Sequence, residues 1–224
     1  MSGVVQRQVT APGAHWEEVY STQGGTEVSW YQEEPTLSLE LIREASKGAD
    51  TRVIDVGGGD SVLVDRLLSL GYVTPSVLDI SAAALERAQA RLGSDAARVN
   101  WLVGDITKVE SLGCFDVWHD RAVFHFLTSQ EERQAYVTLA EQSIPVGGHL
   151  IMATFAPNGP ERCSGLPVCR YDEHSLARTV GPGFTLVRHQ EEIHTTPWGA
   201  TQAFTYALFR REGHLRGEGG IGRR

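Results

Sequence analysis

The segment Val53–Ser61, VIDVGGGDS, runs an apolar, β-branched stretch into an acid and then three glycines. Val and Ile at that density favour a buried strand. Gly57, Gly58 and Gly59 free the backbone for a tight turn and for close approach by a ligand. Beyond the turn, Val62, Leu63, Leu67, Leu68 and Leu70 recur at helical spacing, with Asp60 or Ser61 placed to cap the helix and Gly71 to end it. Strand, glycine turn and helix in this order open an α/β sheet.

The same alternation continues. PSVLDI, the helix SAAALERAQARLG capped by Ser81, ARVNWLVGD and CFDVWHD come next. TSQEERQAYVTLAEQSI then reads as a helix with a capping box from Thr128 and Glu131, followed by GGHLIMATFA. A Pro/Gly-rich insert from Pro157 to Pro167 precedes a short helix from Asp172 and two closing strands near Phe184–Arg188 and Ala203–Arg210. The expected fold is α/β: a mostly parallel sheet with helices on both faces and an antiparallel closing pair at one edge. Two further helices, around His15–Ser21 and Leu37–Ala45, precede the first strand as a lid over the open end of the sheet. One domain is expected over 1–212, with 1–50 as lid, 51–156 as ligand-binding core and 157–212 as substrate-side insert and closing strands. The Gly/Arg-rich tail 213–224 is expected to be disordered.

Twenty Lys+Arg against 28 Asp+Glu leave a net charge of -8, and no basic cluster outside the tail offers a groove for nucleic acid. The start MSGVVQRQVTAPG lacks the pattern of a signal peptide, and no apolar run reaches membrane-spanning length. Three cysteines cannot build a disulfide framework and suit a reducing compartment, so the cytoplasm is the expected location. Cys163 and Cys169, with His174 nearby, lack the C-x₂-C spacing of a structural zinc site, so no metal is expected.

The dinucleotide pattern G-x-G-x-x-G fails at its third glycine, which falls on Val62. Asp55 instead places a carboxylate two residues before Gly57, suited to a cationic amino group. Asp79, at the end of the second strand, is placed for the two hydroxyls of a ribose. Asp105, after the third strand, suits the exocyclic amine of adenine, with Ile80 and Ile106 as apolar faces for the ring. Taken singly, Asp79 and Asp105 are equally explained as caps of the turns that follow them. An amino-acid moiety, a ribose and an adenine without a pyrophosphate grip describe S-adenosyl-L-methionine.

Together VIDVGGGDS, VLDIS, VGDIT and FDVWHDRAVFHFL resemble the successive motifs of class I S-adenosylmethionine-dependent methyltransferases over Thr51 to Phe155. The resemblance implies a Rossmann-like, seven-stranded sheet with its last strand antiparallel and a transferase acting at the end of the fourth strand. Ser61 departs from a glycine common in the family. By this resemblance His125 falls where many members carry Glu or His, which makes it the candidate general base; the alternative is packing beneath the sheet edge. Asp120, at the strand tip, is the second catalytic candidate. His119 should point to the opposite face by strand alternation. Arg121 is expected either to bind an anionic substrate or to pair with Asp120. Trp30 and Tyr31 in VSWYQ suit a pocket roof or an anchor to the core, and His194 is placed to approach the same pocket.

The leading expectation is methyl transfer to an O, N or S atom of a small molecule. WHDRA resembles the matching segment of thiopurine-type S-methyltransferases. A protein (lysine) methyltransferase is the alternative, ahead of an NAD-dependent oxidoreductase or a non-catalytic cofactor-binding protein. The acceptor atom and the oligomeric state stay open at this level.

Overall fold

Short strands rich in Val, Ile and Leu pair in parallel in this chain, whose computed structural model describes residues 11–22 and 24–213. The strands are β1 (Val53–Val56), β2 (Ser76–Asp79), β3 (Asn100–Val103), β4 (Val117–Arg121), β5 (His149–Phe155), a small hairpin β6 (Arg162–Cys163) and β7 (Leu166–Pro167), then β8 (Phe184–Thr195) and β9 (Thr201–Arg211). Seven of them form one sheet in the order β3-β2-β1-β4-β5-β9-β8. The pairs from β3 through β5 are parallel, and β9 lies antiparallel between β5 and β8. The expected architecture is found, with the closing strands longer than their apolar runs suggested. The strand order reverses between β1 and β4, and a ligand crevice opens above the carboxyl ends at such a point.

The helices are α1 (Ala11–Thr22), α2 (Thr36–Ala45), α3 (Leu63–Ser69), α4 (Ala82–Leu92), α5 (Gln130–Ser143) and α6 (Glu173–Val180). Ser81 caps α4 by accepting from the Ala84 N–H at 3.2 Å. The capping box of α5 is formed by Ser129 and Glu132, one residue later than Thr128 and Glu131, since Ser129 holds the extended backbone that a cap requires. Val62 occupies the N-cap of α3, and Ser61 Oγ accepts only from the Leu63 N–H at 3.2 Å, so neither Asp60 nor Ser61 makes the expected cap. The tail from residue 214 lies outside the described residues.

Two large cores flank the sheet, and a third, smaller cluster joins Val64, Leu68, Val77, Leu85 and Val99. Trp118, Phe124, Tyr136, Leu150 and Phe209 pack under α5 and α6; Leu41, Ile42, Leu63, Ile151, Phe204 and Tyr206 pack under α2 and α3. Along β4 the side chains alternate between these faces, so Trp118 and Asp120 point toward α5 while Val117, His119 and Arg121 point toward α2. No described helix is long and apolar enough to cross a membrane.

The fully buried Asp120 is held by three donors: Tyr136 Oη donates to Oδ2 at 2.6 Å, the Val123 amide to Oδ1 at 2.9 Å and the Phe124 amide to Oδ2 at 3.1 Å. Trp118 Nε1 in turn donates to Tyr136 Oη at 2.9 Å. Burial raises the Asp120 carboxyl to about 6 even against these donors. Removing the hydroxyl by Tyr136→Phe strips a buried carboxylate of its shortest hydrogen bond. Thermal and denaturant unfolding are expected to show a loss of about 2 kcal/mol with the secondary structure intact. An unchanged midpoint would show that this bond does not support the turn.

Candidate active site

A cavity of ≈ 320 Å³ lies above the carboxyl ends of β1, β2 and β4. Its walls combine Gly57, Asp79, Ile80, Asp105 and Ile106 with Trp16, Tyr20, Trp30, Arg121 and Cys163. A smaller space of ≈ 50 Å³ beside it is bordered by Tyr31, Gln32, Asp55, Gly58 and His119, and Gly57, Trp30 and Arg121 border both.

The glycine turn is shaped by its contacts. Gly57 adopts a φ of 69°, and a Cβ there would sit 1.9 Å from Val123 Cγ2. Gly59, with a φ of 49°, has the Tyr20 hydroxyl 2.7 Å and Asp79 Oδ2 3.2 Å from where a Cβ would be. Any side chain at either position would push the turn away from the cavity.

The acids expected at the strand ends border these spaces and also do the local work that the alternative reading gave them. Asp79 accepts from the Ser81 amide at 2.8 Å, and burial raises its carboxyl to about 7, with Asp55 and Asp60 adding to the rise. Asp105 Oδ1 accepts from the Thr107 amide at 2.9 Å and from its hydroxyl at 2.6 Å. Asp55 Oδ1 lies 2.7 Å from His119 Nδ1, and His119 Nε2 lies 2.9 Å from Ser38 Oγ. Since Asp55 and His119 are register partners on adjacent strands, the pair follows from the sheet itself.

The catalytic candidates lie elsewhere. Asp120 faces α5, beneath the sheet, where its oxygens bind the amides of the following turn. His125 is fully buried, with rings of Phe126 and Phe155 at 4.5 and 4.7 Å and Nδ1 accepting from the Phe155 amide at 3.3 Å. Burial and then the Arg121 charge lower its pKa to about 3, so the ring is neutral near pH 7. Neither residue borders the cavity. The resemblance placed both by sequence position, whereas strand alternation and the turn at Ala122, which has a φ of 72°, carry them inward. Arg121 makes no ion pair with Asp120, because the two point to opposite faces. His194 is buried outside the cavity wall, with Nε2 donating to the Ser29 carbonyl at 2.7 Å.

The lid residues do border the cavity. Trp16, Tyr20, Trp30 and Phe126 form an aromatic cluster, with Trp16 5.6 Å from Trp30 and 5.1 Å from Phe126. Helix α1 is moored to α4: Ser81 Oγ donates to Glu17 Oε2 at 2.8 Å, and Arg87 Nη1 donates to the Tyr20 carbonyl at 2.6 Å. Tyr31 borders only the smaller space. Trp16, Tyr20 and Phe126 were not singled out as cavity residues from sequence. The aromatic pair four residues apart on α1 was the available signal. Burial raises the Cys163 thiol to about 11, which keeps it protonated and unreactive near neutrality.

Residues 53–147 match the family model of a methyltransferase domain. Among curated proteins, the chain is similar to the eEF1A lysine and N-terminal methyltransferase of Mus musculus, 29% identical over 149 residues, and to that of Bos taurus, 29% identical over 151 residues. Each match covers 63% of this chain and 21% of the relative, so the chain spans about a fifth of the length of those proteins. Its fold is similar to that of the N-methyltransferase NodS from Bradyrhizobium japonicum WM9, solved with S-adenosyl-L-homocysteine: TM-score 0.67, 17% identity, 88% of this chain and 98% of that one. It is also similar to a protein solved in work on the conversion of a disulfide bond into a thioacetal group during echinomycin biosynthesis: TM-score 0.72, 18% identity, 90% and 93% covered.

The placement of His125 predicts a packing role. His125→Gln is expected to cost about 2 kcal/mol and lower Tm by about 4–8 °C, while the pH profile of the single-turnover rate keeps its shape. A variant with an unchanged Tm that loses a rate-limiting ionisation near neutrality would return His125 to the reaction.

Proposed function

We propose that this chain, a member of the class I S-adenosylmethionine-dependent methyltransferases, moves a methyl group from that cofactor to an O, N or S atom of a small molecule. The observation that carries this reading is the cavity itself, with carboxylates at the strand ends on one side and an aromatic lid on the other.

The residues present suit the cofactor. Asp79 would take the ribose hydroxyls, Asp105 the exocyclic amine, and Ile80 and Ile106 the faces of the adenine. Asp55, fixed by His119, would act on the amino group. Carboxylates at Asp55, Asp60, Asp79 and Asp105 favour a cationic ligand and disfavour a pyrophosphate, which argues against the NAD-dependent reading. Bound there, the cofactor supplies a methyl carbon already activated by its sulfonium. What the protein adds is alignment and exclusion of water: Trp16, Trp30, Phe126 and Leu166 give the acceptor an apolar wall. The buried His125 and the protonated Cys163 are poor bases, so the reading favours an acceptor whose nucleophile is neutral or already ionised at working pH.

Methylation of a protein lysine or N-terminus is the second reading, favoured by the names of the curated relatives. In this proposal residues 1–50 act as lid, 51–156 as cofactor-binding core and 157–212 as acceptor-side segment of one domain. The free state of all three cysteines supports a cytoplasmic location.

Two measurements test the proposal. Incubation with methyl-labelled cofactor and cell extract is expected to label small molecules, whereas label confined to polypeptides would favour the second reading. Asp79→Asn is expected to weaken cofactor binding by about 2 kcal/mol, near thirtyfold. Because the ionised carboxylate is the better acceptor of two hydroxyls, wild-type affinity should rise as pH passes upward through about 7 and then level off. The same raised pKa works oppositely on the free protein. Its contribution to folding is full below the ordinary carboxylate range and is lost as pH rises through about 7. Affinity independent of pH and of Asp79 would contradict the assignment.

A further inference from the structure

Arg121 ends β4 on the face toward α2 and the lid, and its guanidinium is held on two sides. Nε donates to Tyr206 Oη at 2.9 Å and Nη1 to the Trp30 carbonyl at 3.0 Å, while Cζ stacks 4.6 Å from the centre of the Phe204 ring. Its third nitrogen, Nη2, is buried and has no hydrogen-bond partner. No carboxylate lies within ion-pair distance of Arg121 among the described residues. The charge is felt nearby: it adds to the lowering of the His194 and His125 pKa values. A fixed, buried cation with an unused donor is unfavourable unless a ligand brings the missing acceptor.

Arg121 borders the cavity together with Trp16, Trp30, Phe126, Cys163 and Leu166. Two strands separate β4 from β3, after which Asp105 follows, and β1 separates β4 from β2 and Asp79. The cation therefore stands on the side of the sheet away from the adenosine acids. We propose that Arg121 Nη2 anchors the carboxylate of the methyl acceptor, an anionic molecule with an aromatic or alkyl body that lies against the aromatic lid. The proposal rests on the methyltransferase reading and narrows its substrate class. A single unused donor suits a monoanion; a phosphate dianion asks for more cations than this wall supplies. An ammonium acceptor such as a lysine side chain would be repelled by the same charge.

The cofactor carries a carboxylate of its own, and the test separates the two sources. A small-molecule extract is passed over an anion exchanger at pH 7.5, and each fraction is assayed with methyl-labelled cofactor and with wild type, Arg121→Gln and Arg121→Lys. Calorimetry measures S-adenosylhomocysteine binding to each protein, and melting curves confirm folding. Label is expected only from the retained fraction. Arg121→Gln should raise the amount needed for half-maximal rate tenfold or more, with Arg121→Lys intermediate and S-adenosylhomocysteine affinity within about twofold of wild type. If Arg121→Gln does not fold, Arg121→Lys, which keeps the charge and loses the planar fork, carries the comparison. Equal labelling from the unretained fraction overturns the inference and leaves the methyltransferase reading intact. A loss of S-adenosylhomocysteine affinity matching the loss in half-maximal rate also overturns it, by assigning the bound carboxylate to the cofactor. Absence of label from every small-molecule fraction fails the reading on which the inference stands.

Discussion

The buried carboxylate of Asp120 holds the turn on which the cavity wall is built. It binds the amides of Val123 and Phe124 and the Tyr136 hydroxyl, and the chain reverses over it through Ala122 in the left-handed region, where its amide also donates to the Ala153 carbonyl at 2.8 Å. Left-handed backbone at a residue with a Cβ persists only when its surroundings over-determine it. Here they do, and the result is that Arg121 and Val123 border the cavity on either side of Ala122. Val123 then fills the space beside Gly57, so the glycine turn of β1 and the exit turn of β4 fix one another.

Strand alternation distributes the polar groups around this frame. On the face toward α2, Asp55, His119 and Ser38 form a buried hydrogen-bonded line, with Arg121 and Tyr206 linked farther along the same face. On the face toward α5, Asp120, Tyr136 and Trp118 form a second line. Each residue in these lines makes at least one hydrogen bond to a neighbouring element, which restrains the strands in register beneath the cavity, while Arg121 Nη2 keeps an unused donor. The lid adds the remaining wall, moored through Glu17 to the start of α4 and through Tyr20 to Arg87.

The fold was legible because its signals are local. Apolar β-branched runs, the glycine turn and regularly alternating helices each point to the same sheet, and Asp79 and Asp105 follow from their place at strand ends. The site at β4 was less legible, because FDVWHDRAVFHFL gives the residue types without the direction of each side chain. Asp120 and His125 carry the chemistry a base would need, yet strand alternation turns Asp120 into the core and the reversal at Ala122 carries His125 there. Nothing local in the sequence marks an alanine for positive φ. Cys163 and Leu166 reach the cavity through a small hairpin in the Pro/Gly-rich insert, a contact set by long-range packing rather than by periodicity.

The central claim is that the acids at the strand ends and the wall beyond β4 are two halves of one site, the first for the cofactor and the second for its acceptor. A crystal structure of the protein with S-adenosylhomocysteine tests it most directly. The account predicts ribose hydroxyls on Asp79, adenine between Ile80 and Ile106, and the sulfur facing the wall formed by Trp16, Trp30 and Arg121. Ligand bound with its ribose away from Asp79, or with its sulfur turned from that wall, would contradict it.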